Sequence, residues 1–138
     1  MRIIDASNNL ALIDDFLERA KNSLETFRYF EKRPLSVVKN HVTTLIILEE
    51  KKPVCYGHLD DDGTKVWLGI AVIGEHRGRG YGKIMMNELI ERAKSQNLNA
   101  IYLSVDKSNT IAQALYEKKG FKVFDEKEGE NFMKLDMP

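Results

Sequence analysis

The stretch VIGEHRGRGYGKIMM, residues 72–86, follows an apolar run and leads into an amphipathic pattern. Gly78, Gly80 and Gly82 stand between Arg77, Arg79 and Lys83. Glycine weakens a helix start unless the backbone must turn unusually or be approached closely. The first turn of a helix offers N–H groups with no intrahelical partner and the positive end of the helix dipole. Residues without side chains let anionic oxygens reach those donors. The segment therefore reads as a strand-to-helix loop for a phosphate-bearing ligand, most simply a pyrophosphate. It is not a Rossmann loop, because the order is Gly78-x-Gly80-x-Gly82 rather than G-x-G-x-x-G. Nor is it a Walker A loop, because Gly82-Lys83 is followed by Ile84 rather than Ser or Thr. A glycine-rich helix start without a ligand is the bland alternative.

Working outward, residues 2–4 form a short apolar start. Apolar residues then recur at helical spacing in NNLALIDDFLERAKNSL: Leu10, Ile13, Phe16 or Leu17, and Ala20. TFRYFEKRPLSVVKNH predicts a second, less regular helix interrupted at Pro34. TTLIILEE and KPVCYGHL read as a β-hairpin joined by a charged turn, and DDDG leads into a third strand, TKVWLGIAVI. After the glycine segment, Met85, Leu89 and Ala93, with Met86 and Ile90 alongside, give one apolar helix face. AIYLSV reads as a strand, NTIAQALYEKKG as a helix closed by Gly120, and FKVF and FMKL as a last hairpin. This is an α+β, mixed α/β layout. It predicts a central, largely antiparallel twisted sheet of six to seven strands flanked by about four helices, with a parallel crossover over residues 66–105. The length, 138 residues, suits a single domain.

Twenty-one basic and 21 acidic residues leave zero formal charge, so overall charge makes no case for a nucleic-acid or membrane partner. Cys55 is the only cysteine; it sits in the apolar run PVCYG, reads as a core side chain, and has no metal-ligand spacing around it. The first residues carry acidic groups and lack a long apolar block, which reads as a cytoplasmic protein.

LGIAVIGEHRGRGYGKIMM and NTIAQALYEKKGF together resemble the GNAT superfamily of N-acetyltransferases. Arg77-x-x-Gly80-x-Gly82 matches that family's R/Q-x-x-G-x-G/A loop, and the second segment matches its Asn…Ala…Leu-Tyr…Gly-Phe pattern. The resemblance implies acetyl-CoA as co-substrate, with its pyrophosphate on the main chain of residues 78–83, including Tyr81 and Lys83. The strand around Ile70, Ala71 and Val72 would pair with the pantetheine arm, and a main-chain N–H near Val72 would polarise the acetyl carbonyl. Asn109 would contact pantetheine, or cap a helix, or both. Tyr116 would protonate the departing thiolate, the alternative being a core tyrosine. The implied reaction is direct attack of an amine on the thioester in a ternary complex. The amine belongs to a small-molecule or peptide acceptor, and a homodimer is open because family members often dimerise.

The sequence departs from the family at the base. Several members use a glutamate on the fourth strand, where this chain reads KVWLGIAV with no carboxylate. His58, on the same strand face as Asp60, is the candidate, against a purely structural His–Asp hydrogen bond. His76 reads as loop support, and nothing sets His41 apart. In TFRYFEKRPL, Phe27 and Phe30 read as core and the charges as solvated; the alternative is a basic, aromatic pocket for an anionic acceptor. Trp67 reads as packing. A non-catalytic CoA-binding module is the competing function, favoured by the missing carboxylate.

Overall fold

The computed structural model describes residues 1–21 and 27–137. Seven strands form one sheet in the order β1-β2-β3-β4-β5-β7-β6. In chain order these are β1 (Arg2–Asp5), β2 (His41–Glu49), β3 (Lys52–Asp61), β4 (Val66–Val72), β5 (Ala100–Asp106), β6 (Lys122–Lys127) and β7 (Glu130–Asp136). Every neighbouring pair is antiparallel except β4 and β5, which run parallel. The helices are α1 (Leu10–Ala20), α2 (Tyr81–Ser95) and α3 (Thr110–Lys118). Short 3-10 turns cover Tyr29–Glu31, Leu35–Asn40 and Gly74–His76.

The predicted mixed architecture is the one observed, with one local difference. The segment expected to form a second helix makes two 3-10 turns on either side of Pro34, which sits extended at φ −71°, ψ 157°. Proline has no N–H to donate and disfavours helix in the residue before it, so no longer helix can pass through. Residues 22–24 and 26, also expected to be helical, lie outside the described residues. On α1, Asn9 caps the helix by accepting from the Leu12 N–H at 3.1 Å. Ile13, Phe16 and Ala20 are buried there, whereas Leu10 is exposed.

The two faces of the sheet carry separate cores. One gathers α2 and α3 side chains, among them Met85, Leu89 and Tyr116, against Leu45, Cys55 and Leu59. The other gathers α1 and residues 27–38 against Ile46, Tyr56 and Ala71. Gly57 sets how closely α2 seats. A Cβ there would lie 2.5 Å from Met85 Cγ and 3.0 Å from Leu89 Cδ1, distances only a bare α-carbon permits. Gly57→Ala is therefore expected to destabilise the chain by about 1–3 kcal/mol, the usual cost of overpacking a filled core, read as a lower urea midpoint at unchanged m-value.

Candidate functional site

β4 and β5 touch through the single pairing Trp67–Tyr102. Beyond it the strands part, and the opening is lined by Leu68 and Ile70 on one side and by Ser104 and Asp106 on the other. Antiparallel ladders alternate bonded and non-bonded pairs, and here both ends of the β3–β4 ladder fix the phase. Ile73 N–H donates to Val54 O at 3.1 Å, and Asp62 N–H donates to Lys65 O at 3.0 Å. The register is unbroken between those pairs. Gly69 and Ala71 thus spend their main-chain groups on β3, while Ile70 and Val72 turn theirs toward the gap. Of the three residues expected at a pantetheine arm, Ile70 and Val72 are placed on that edge. Ala71 is not: its main chain faces β3 and its side chain is buried in the α1-side core.

At the end of β4 comes the glycine segment. Gly78 (φ +80°) and Gly80 (φ +86°) occupy left-handed backbone that favours glycine, and nothing lies within 4 Å of a Cβ built on either. Gly80 is the N-cap of α2 and offers no side chain to the first turn, whose N–H groups begin to pair only with Ile84 N–H to Gly80 O. Arg77, Arg79 and Lys83 are exposed around this point. Tyr81 is placed differently: its ring is buried, so only its main chain can face a ligand. Gly82 sits in the first turn, 4.0 Å from Val72 Cγ2 by its Cβ direction. His76 lies 3.4 Å from Arg79 Nη1, consistent with support of the loop.

The opening widens into a cavity of about 450 Å³. Tyr116 and Asn109 line it from α3. Burial pushes the Tyr116 phenol up to about 12, so it keeps its proton at neutral pH. Asn109 caps α3, its Oδ1 accepting from Ala112 N–H at 3.2 Å, while the residue still lines the cavity. His58 lines the same cavity from the opposite side of the sheet, 2% exposed.

The surroundings of His58 differ from the expected His–Asp pair. Its Nδ1 lies 2.7 Å from the Tyr56 hydroxyl, two residues back on the same strand face. Asp60 instead accepts from the Tyr29 hydroxyl at 2.9 Å. The Tyr29 ring packs against His58, 4.3 Å centroid to centroid, with the Arg33 guanidinium 4.4 Å from its centre. His41, which the sequence did not set apart, closes this network. Burial lowers its pKa and keeps it neutral. Because Tyr29 gives its proton to Asp60, His41 Nε2–H must donate to the Tyr29 oxygen at 2.8 Å, and Nδ1 accepts from Thr44 Oγ1 at 2.8 Å. Gly69 faces His58 across the ladder, and a Cβ there would fall 2.5 Å from His58 Nε2.

A family profile described as the acetyltransferase (GNAT) family matches residues 9–121. The chain belongs to this family. A ribosomal protein bS18-alanine N-acetyltransferase of Haemophilus influenzae is 33% identical over 72 residues, covering 52% of this chain and 47% of that protein. The chain spans about half the length of these curated relatives. A ribosomal-protein-alanine N-acetyltransferase of Brucella melitensis superposes with a TM-score of 0.76 at 21% identity, over 99% of this chain and 100% of that one. An N-acetyltransferase of Campylobacter jejuni solved with acetyl coenzyme A gives 0.69 at 19%, over 99% of each chain.

In this GNAT chain β4 carries no carboxylate between Val66 and Val72. Gly69 leaves room on β4, and the His58 imidazole of β3 occupies it. Tyr56 carried a signal that could have been read, since it alternates onto the His58 face. Tyr29 and Thr44 carried none, because their meeting with Asp60 and His41 depends on how residues 27–40 fold back. Arg28 likewise proves to be committed: it reaches across the mouth to Asp106 at 3.2 Å and Glu130 at 3.9 Å.

His58 also makes stability depend on pH. Burial, with smaller help from His41 and Arg33, holds its pKa well below 6.5. The unfolded chain takes up a proton near pH 6.5 that the folded chain refuses, so stability present above that value falls as pH drops. The urea midpoint at pH 5.5 is expected to lie below that at pH 7.5, and His58→Gln should shrink the difference.

Proposed function

We propose that residues 1–138 form one catalytic domain that transfers the acetyl group of acetyl-CoA to a primary amine of a small-molecule or peptide acceptor, by direct attack in a ternary complex. The observation that carries this reading is the free main-chain edge at Ile70 and Val72. It leads from the bare first turn of α2 to a cavity flanked by Tyr116 and His58. Relatives named N-acetyltransferases, and neighbours solved with acetyl-CoA, support it.

The residues fit such a co-substrate. The N–H groups after Gly80 receive pyrophosphate oxygens, with Arg77, Arg79 and Lys83 supplying charge. Ile70 and Val72 pair with the amide-bearing pantetheine arm as a further strand would, and the Val72 N–H polarises the thioester carbonyl. Asn109 keeps its cap through Oδ1 and presents its amide nitrogen to the arm. His58 accepts the amine proton at Nε2; this needs the tautomer in which Nδ1–H donates to the Tyr56 oxygen. Tyr116 gives its proton to the departing sulfur.

A second reading, a module that binds CoA without catalysis, draws on the strongly depressed His58 pKa, which makes the imidazole a weak proton acceptor. Steady-state thiol release over an amine panel separates the two: CoA binding without turnover on any amine favours the module. Tyr116→Phe is expected to lower kcat by about 10²–10⁴-fold, the usual scale for loss of a general acid; full activity would remove Tyr116 from the mechanism. Gly80→Val should weaken acetyl-CoA binding by calorimetry, since a β-branched residue resists the left-handed backbone and crowds the phosphate approach. Unchanged affinity would show that the pyrophosphate lies elsewhere.

A further inference from the structure

Beyond His58 the cavity continues along β3 to Asp60, then round the turn to Asp62, with Trp67 on the facing strand. The charges here are unequal. Asp60, Asp62, Asp106 and Glu130 line the cavity against the guanidiniums of Arg28 and Arg33. Both arginines are engaged. Arg28 bridges Asp106 and Glu130, and Arg33 donates Nη1 to the Tyr29 carbonyl at 2.8 Å while covering the Tyr29 ring.

Asp60 and Asp62 receive only neutral donors. Asp60 accepts from the Tyr29 hydroxyl. Asp62 Oδ1 accepts from the Thr64 and Lys65 N–H groups, and its Oδ2 from the Trp67 indole at 2.9 Å. Among the described residues neither carboxylate is in an ion pair. An independent feature marks the same cavity as a ligand site: the His58 imidazole, 2% exposed, lines it with no partner on Nε2 among the described residues. Nε2 is open to a hydrogen-bond partner supplied from the cavity.

Resting on the acetyl-transfer reading, we infer that the acceptor is a dicationic amine, one nitrogen delivered to His58 and a second ammonium held by Asp60 and Asp62 beside the Trp67 ring. His58 and Asp60 are two residues apart on one strand face, about 7 Å, which a chain of about five methylenes spans. Trp67 bounds the cavity beside Asp62, its indole N–H committed to Asp62 Oδ2. An anionic acceptor, the alternative that Arg28 and Arg33 suggested in the sequence, meets Asp60 and Asp62 instead, neither of them in an ion pair among the described residues.

The test uses three amines of matched length whose far end is positive, neutral or negative: 1,5-diaminopentane, 5-aminopentan-1-ol and 5-aminopentanoate. Calorimetry on the CoA-loaded protein should rank them in that order, with the diamine about tenfold tighter than the alcohol, as expected for a charge-assisted contact. Asp62→Asn keeps Oδ1 for the turn amides but gives up acceptance from the Trp67 indole, so its folding is checked by the urea midpoint; it and Asp60→Asn should each bring the diamine-to-alcohol ratio toward one. Equal affinities, no binding of any of the three, a preference for 5-aminopentanoate, or a ratio unmoved by both variants would overturn the proposal. Turnover on the same set distinguishes the two readings. Ordered binding without acetyl transfer supports the dicationic site and counts against the transferase, whereas transfer with the order reversed overturns the site and leaves the reaction standing.

Discussion

The proposed function turns on an interruption in a hydrogen-bonded ladder. A sheet normally satisfies each strand's main chain with its neighbours, yet β4 and β5 pair only at Trp67 and Tyr102. The amides beyond that point are left facing a gap. Because the gap pierces the sheet, groups from its two sides can approach one bound molecule. Tyr116 comes from the side of α2 and α3, and His58 from the side of α1. Proton donor and proton acceptor candidates thus stand on opposite faces of a single layer. In the proposed reaction the acceptor enters from one side and the thiol leaves toward the other.

The surrounding fold holds that opening in place. α2 spans the crossover between the two parted strands, and Gly57 lets it settle directly on β3. Trp67 packs against Tyr102 at 5.6 Å and Phe132 at 6.2 Å, an aromatic cluster where the strands still touch. At the far end Arg28 ties residues from the α1 side to β5 and β7. The opening is therefore bounded by aromatic packing where it begins and by charge at its mouth.

Much of this was legible in the sequence where local rules decide. Apolar, β-rich runs gave the strands, the helical stripe of Met85, Leu89 and Ala93 gave α2, and Gly78 and Gly80 marked the backbone turn. Legibility failed where distant segments meet. Pro34 was visible, but not that the chain around it would forgo an α-helix. His58 was singled out beside Asp60 because strand alternation puts them on one face. Alternation says nothing about which neighbour a side chain bonds, and Tyr29, arriving from another segment, claimed Asp60. Ala71 shows a subtler limit. Its place in a strand is plain from the sequence, but which way its amide points depends on ladder phase, fixed only once β3 and β4 pair.

That phase has a consequence for how this hairpin can vary in length. The bond between Asp62 and Lys65, at the tip, determines which amides present themselves at the remote end of β4. A lone inserted or deleted residue within β4 before position 70 would exchange the two sets of amides, aiming the wrong carbonyls into the opening, and would turn the β4 side chains toward the opposite cores. Surface loops ordinarily tolerate such indels. Here the count of residues acts as a ruler, and an alignment gap inside it would signal a changed ligand even where every recognisable motif survives.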